Sequence, residues 1–139
     1  MTSHDRRPHP LLDFDRMLFT KRPPPILCAP GDNYYAINNG IGPGLTILSD
    51  WKRENPTETL LIQDRLPPGC MMHPDISFDG KRVVFAYCDH TPRREERQFF
   101  LYEAKLDGTG LRQLTFGNFY DYEPCYLRGG GIVFVSTRS

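Results

Sequence analysis

Apolar positions along this chain come in short runs, and two of these runs are apolar on both sides of an extended segment. Val83-Val84-Phe85-Ala86-Tyr87-Cys88 places Val83, Phe85 and Tyr87 on one face and Val84, Ala86 and Cys88 on the other. Ile132 to Val135 has the same character. Side chains alternate across a strand, so such runs predict strands covered on both faces. Phe99 to Leu106 alternates, with Phe100, Tyr102, Ala104 and Leu106 on one face, and Leu111 to Thr115 is a short strand with polar alternates. Upstream, Asp15–Lys21 around Met17-Leu18-Phe19, Leu45–Leu48 and Glu58–Ile62 read as further strands. Nowhere does a helical stripe develop, so the fold class is all-β.

Breakers separate these runs. Pro23-Pro24-Pro25 suits an extended connector outside any sheet interior. Gly31–Gly44 is a long loop carrying Asn38-Asn39-Gly40 and Gly42-Pro43-Gly44, and Gln63–Gly69 is another loop. Asp79-Gly80 and Asp107-Gly108-Thr109-Gly110 are tight turns before strands. Residues 1–13 are a flexible, polar lead-in. Arg93-Arg94-Glu95-Glu96-Arg97 is a mixed-sign run expected at a solvated hairpin tip.

The chain also repeats. His73-Pro74-Asp75-Ile76-Ser77-Phe78-Asp79-Gly80-Lys81-Arg82-Val83-Val84-Phe85-Ala86 aligns with Glu123-Pro124-Cys125-Tyr126-Leu127-Arg128-Gly129-Gly130-Gly131-Ile132-Val133-Phe134-Val135. Pro74 to Pro124 is 50 positions and Phe85 to Phe134 is 49, which places a one-residue deletion in the turn. A fainter copy sets Leu18-Phe19-Thr20 against Val84-Phe85-Ala86. Units of about 50 residues built from short antiparallel strands suit β-propeller blades, whose small sheets bury both faces only by stacking on neighbours. The alternative is a β-sandwich with a chance repeat. The expected architecture is a partial β-propeller of about two four-stranded blades plus the first strand of a third. The blades would span about 14–66 and 73–116, with the next beginning in 121–139. Repeat-defining positions are Pro74, Asp79, Gly80, Phe85, Asp107, Gly108, Gly110, Pro124 and Phe134.

Proline, a short spacer, Asp-Gly and then a β-branched–Phe strand resembles the TolB-type, WD40-like propeller repeat. Asp107-Gly108-Thr109-Gly110-Leu111-Arg112-Gln113-Leu114-Thr115 is similar to that repeat's other hallmark. More narrowly, Leu12-Asp13-Phe14-Asp15-Arg16-Met17-Leu18-Phe19-Thr20-Lys21-Arg22 and Gly42-Pro43-Gly44-Leu45 look like the propeller domain of planctomycete proteins related to the hydrazine synthase alpha subunit. So does Ser77-Phe78-Asp79-Gly80-Lys81. The resemblance implies a non-catalytic propeller scaffold or interaction module, a portion of a larger TolB-like protein. Its alternatives are the propeller portion of a multihaem redox protein and the propeller gate of a serine peptidase.

Composition narrows the chemistry. Lys plus Arg is 17 and Asp plus Glu is 17 in 139 residues, so no basic excess exists to follow a phosphate backbone and no nucleic-acid partner is expected. The apolar runs are too short to span a membrane. No apolar core follows Arg6-Arg7, so no secretory signal is visible and the chain is expected to stay in the cytoplasm, although relatives of the resembled type tend to be exported to the periplasm. Divided by the repeat period, the length gives fewer than three units, whereas propellers have about four to eight blades. An incomplete architecture is expected, with remaining blades or another protein as partner and open blade edges prone to self-association.

No catalytic, cofactor or metal residue is assigned. Cys28, Cys70, Cys88 and Cys125 contain no C-x-x-C pair and no haem-attachment motif, and Cys88 and Cys125 are expected as buried reduced thiols. Cys70-Met71-Met72-His73 offers two ligands where zinc takes three or four. Gly129-Gly130-Gly131 lacks the Lys-Ser/Thr of a phosphate loop and reads as a hairpin turn. No Gly-x-Ser-x-Gly nucleophile elbow occurs. The contact candidates are loop residues beside the repeat prolines: His73, Asp75, Asp121 and Glu123. Tyr34-Tyr35, Trp51 and Phe119-Tyr120 are expected first as packing aromatics and second as an exposed patch.

Overall fold

The computed structural model describes residues 12–24, 40–62 and 64–139. The readings placed on Pro25, Cys28, Tyr34-Tyr35, most of the Gly31–Gly44 loop and residues 1–11 lie outside the described residues. Among these residues, nine strands form three antiparallel sheets. The first sheet holds β1 (Arg16–Lys21), β2 (Gly44–Ser49) and β3 (Thr57–Leu60). The second is a four-stranded meander of β4 (Gly69–Ile76), β5 (Arg82–Asp89), β6 (Phe99–Lys105) and β7 (Arg112–Gln113). The third pairs β8 (Asp121–Tyr126) with β9 (Ile132–Ser136). One 3₁₀ turn at Arg94–Glu96 is the exposed tip expected between β5 and β6. Among the described residues no helix is long and apolar enough to cross a membrane.

The second sheet is buried on both sides because each side meets a different sheet. Val83, Phe85 and Tyr87 of β5 join Leu45, Leu61 and Ile62, with Leu18 and Ile47 packed alongside. Ala86 and Cys88, on the opposite face, join Cys70, Met72, Phe99 and Leu101, against Ile132 and Phe134 of β9. Phe85 stacks on Tyr102 at 6.0 Å, and Tyr102 meets Tyr87 edge-on at 5.3 Å. The Tyr87 hydroxyl satisfies itself by donating to the Pro67 carbonyl at 2.6 Å. Two separate cores thus explain why the central strand has no polar face.

The structure departs from the sequence reading in its proline-bearing strands, its strand counts and one cysteine. Gly69–Ile76 and Asp121–Tyr126 are strands, although both were expected as loop around the repeat prolines. A central proline removes a ladder hydrogen bond and argues against a strand. Here the chain solves the problem with a β-bulge: register shifts between Met72 and Asp75, and again between Tyr122 and Cys125. Pro74 and Pro124 sit inside these bulges, where no donor is missed. The third sheet therefore has two strands rather than one, and the first has three rather than four among the described residues. Cys125, expected buried, is exposed.

The repeat is physical as well as textual. Ile76 pairs with Val83 and Tyr126 with Ile132, so the offset is 50 before the turn and 49 after it. The longer turn closes by Ser77 N–H to the Arg82 carbonyl at 2.9 Å, the shorter by Leu127 N–H to the Gly131 carbonyl at 2.8 Å. Asp79 Oδ1 accepts from the Ser77 hydroxyl at 2.6 Å and from Lys81 N–H at 3.1 Å, pinning the longer turn ahead of Gly80. Asp107 Oδ1 does the same for Thr109, accepting from its N–H at 2.8 Å and its hydroxyl at 2.6 Å. Gly110 follows at φ 65°. Gly108 has a second duty. Its φ is 81°, and a Cβ there would come within 2.6 Å of the Leu61 carbonyl, so this turn abuts the first sheet.

Candidate functional site

The two bulges lie on strands that contact each other, β4 and β8. A residue preceding proline is normally driven into extended backbone. His73 instead has φ 50° and Glu123 φ 52°, both left-handed and both non-glycine. Such conformations cost on the order of 1–3 kcal/mol each and concentrate at ligand clamps and switch regions. Asp75 ties the two strands together: its Oδ2 accepts from the Tyr126 N–H at 2.7 Å. The seam between β4 and β8 is thus rimmed by His73, Asp75, Glu123 and Cys125.

Electrostatics couple these groups. Burial pushes the His73 imidazole below its ordinary value, the Glu123 charge pulls it back up, and Arg22, just after β1, pushes it down again. The net effect favours neutral imidazole, a donor–acceptor rather than a cation. The Asp75 charge raises the Cys125 thiol, with burial and an Asp75 hydrogen bond adding to it. A raised thiol is a weak nucleophile. The seam offers a set of hydrogen-bonding groups suited to holding a polar chain or loop, not an activated attacking atom.

Of the four contact candidates, the fold brings His73, Asp75 and Glu123 to this seam and removes Asp121. Asp121 is wholly buried. Arg138 clamps it, with Nη1 donating to Oδ1 and Nη2 to Oδ2, each at 2.7 Å. The guanidinium lies over the Phe119 and Phe134 rings at 5.2 and 5.9 Å. Asp121 therefore holds the third sheet together and is no loop contact. Trp51 packs on Phe14 at 5.0 Å and donates Nε1–H to its carbonyl at 2.8 Å, the packing role expected of it.

Cys70 belongs to the apolar core between the second and third sheets, and burial lifts its thiol to about 11, against the lowering effect of Arg22. Among the described residues no three His, Cys, Asp or Glu side chains are grouped to hold an ion.

One charged group escaped the sequence reading. Glu103 is buried on β6 between the apolar residues Tyr102 and Ala104. Its Oε2 accepts from Arg112 Nε at 2.9 Å and Nη2 at 2.6 Å. Its Oε1 accepts from Arg82 Nη1 at 3.2 Å and from the Tyr126 hydroxyl at 2.8 Å. Burial raises its carboxyl, but the Tyr126 and Arg112 hydrogen bonds and the two guanidinium charges outweigh that and leave it below its ordinary value. The network ties β5, β6 and β7 of the second sheet to β8 of the third. The one signal in sequence was a carboxylate on the face of β6 shared with Phe99 and Leu101.

The third sheet also leaves an apolar face open. Val133 and Val135 are 52% and 42% exposed, with Cys125 beside Val133 across the ladder. Val84, the repeat equivalent of Val133, is completely covered. No family model, curated protein or solved structure matches the chain.

Proposed function

We propose that this chain is part of a β-propeller and works as a non-catalytic scaffold or interaction module of the TolB-like type. The observation that carries this reading is the repeated bulge, turn and two-faced strand. Val83 and Phe85 face the preceding sheet while Ala86 and Cys88 face the following one, and 49 positions later Ile132 and Phe134 again face the preceding sheet. In that pattern the uncovered Val133–Val135 face is the seat of one more sheet, from a second copy, further blades or a partner protein. Exposed apolar sheet faces with open edges drive such association. The strained His73 and Glu123 bulges on the first strand of each unit then line the rim where propeller function resides.

Sizing with light scattering over a concentration series tests this reading. Association is expected, and Val133→Glu with Val135→Lys should return the chain to monomer without loss of folded structure. A wild-type chain that stays monomeric and melts in one cooperative transition at all concentrations overturns it.

A further inference from the structure

Two cavities adjoin at the turn end of the interface between the first and second sheets, on the opposite side of the second sheet from the open Val133–Val135 face. One, of about 370 Å³, is lined mainly by apolar groups, among them Phe14, Leu18, Ile47, Ile76 and Leu106. The other, of about 540 Å³, is lined by Arg16, Lys81, Arg82 and Lys105 with Asp79 and Asp107. Arg16 and Leu106 line both. Volumes of this size fall in the range of small-ligand pockets, about 300–1,000 Å³.

The charges in the second cavity do not cancel. Four cations face two carboxylates. Asp79 and Asp107 each commit Oδ1 to their own turn, and Arg82 is turned toward Glu103. Arg16, Lys81 and Lys105 make no ion pair among the described residues. Asp15, at the edge of the apolar cavity, lies 4.0 Å from Lys52 instead. An apolar slot therefore opens directly onto surplus positive charge.

We propose that this pair of cavities is a binding site for an amphipathic anion: an aliphatic or aromatic body in the Leu18–Ile47–Ile76–Leu106 slot and a carboxylate or phosphate head against Arg16, Lys81 and Lys105. Neither half suffices. The slot alone gives orientation-free apolar burial, and the exposed cations alone give weak, salt-screened attraction. Joined at Arg16 and Leu106, they select molecules that carry both features, because each polar head needs a partner when its body is buried.

Calorimetric titration of the full chain with octanoate, octyl phosphate, 1-octanol and inorganic phosphate tests the site. Octanoate or octyl phosphate should bind at one site per chain, at least about tenfold more tightly than the alcohol or the free phosphate. Whichever of the two binds better identifies the head group. Arg16→Gln combined with Lys105→Gln should weaken the anions about tenfold and leave 1-octanol unchanged. Ile76→Asp, at an exposed slot residue, should abolish octanoate binding while circular dichroism stays native. Equal affinity of octanoate and 1-octanol, no binding of any probe, or unchanged octanoate binding in the Arg16/Lys105 double variant overturns the proposal. None of these readouts depends on association through Val133 and Val135, so this site and the scaffold reading fail separately.

Discussion

The second and third sheets carry the same unit of sequence and reach different physical states. Val83-Val84-Phe85 of β5 is wholly buried, whereas Ile132-Val133-Phe134 of β9 is half-buried, exposed and half-buried in turn. Bulge and pairing register are shared, and the turn differs by one residue. What differs is the neighbour: among the described residues, the second sheet lies between two others and the third has one. The burial of a β residue is thus set by what stands beyond its own sheet, and identical local pattern does not guarantee identical energy.

That contrast can be broken most sharply at its equivalent valines. Val84→Asp should destabilise the chain by at least about 4 kcal/mol, because it buries an unpaired charge between two sheets. Val133→Asp should change monomer stability by less than about 0.5 kcal/mol, as an exposed substitution. Urea unfolding of dilute protein reads both, and equal penalties would mean that the Val133 face is covered in solution.

Phe85→Ala comes next, with an expected loss of about 3–5 kcal/mol from removing a fully buried ring. Sequence alone assigns Phe134 the same value, but its half-burial under the Arg138 guanidinium reduces the loss at Phe134→Ala to about 1–2 kcal/mol. A neutral result at both positions would sink the idea of stacked sheets.

Glu103 probes the joint between the two sheets. Its folded carboxyl titrates below its ordinary value of 4.5, so the folded state binds this proton less readily than the unfolded chain. Its contribution is therefore present above the ordinary value and is lost as pH falls through the depressed one. Glu103→Gln should cost about 2 kcal/mol at neutral pH, less than a fully buried pair, because Arg82 and Arg112 keep contact with water. It should also flatten the decline of stability below about pH 4. An unaltered acid limb would remove Glu103 from the joint.

The smallest effect is chemical. Burial lifts Cys70 to about 11, despite Arg22, and Cys88 to about 12, so both should resist alkylation in native protein. Cys125 is exposed and should react before Cys70 and Cys88, though slowly for a surface thiol because Asp75 holds its proton. Peptide mapping after a timed iodoacetamide pulse checks the order. Early labelling of Cys88 would mean that the core between the second and third sheets opens readily.

Much of this fold is legible in the residues. Two-sided apolar runs mark β5 and β9, alternation marks β6, and the Asp-Gly turns fall where their side chains close hydrogen bonds. The strands holding Pro74 and Pro124 were not legible, because a proline in a strand reads as a break unless the bulge around it is seen. Asp121 and Glu103 are the paired lesson at the level of sites. One looked like a rim contact and is a buried anchor; the other sat unremarked in a strand and is the hub of four hydrogen bonds.

By itself, then, the sequence determined the β class, the period of 49–50 residues, the one-residue deletion in the turn and the neutral overall charge. These depend on side-chain alternation and turn chemistry, which act over a few neighbouring residues. Only the tertiary structure decided which face of each strand is covered, that the Glu123 charge acts on His73 across a seam, that Glu103 joins two sheets, and that an apolar slot opens beside three cations with no ion pair among the described residues. Those facts depend on which distant segments come together, and no local pattern carries that information.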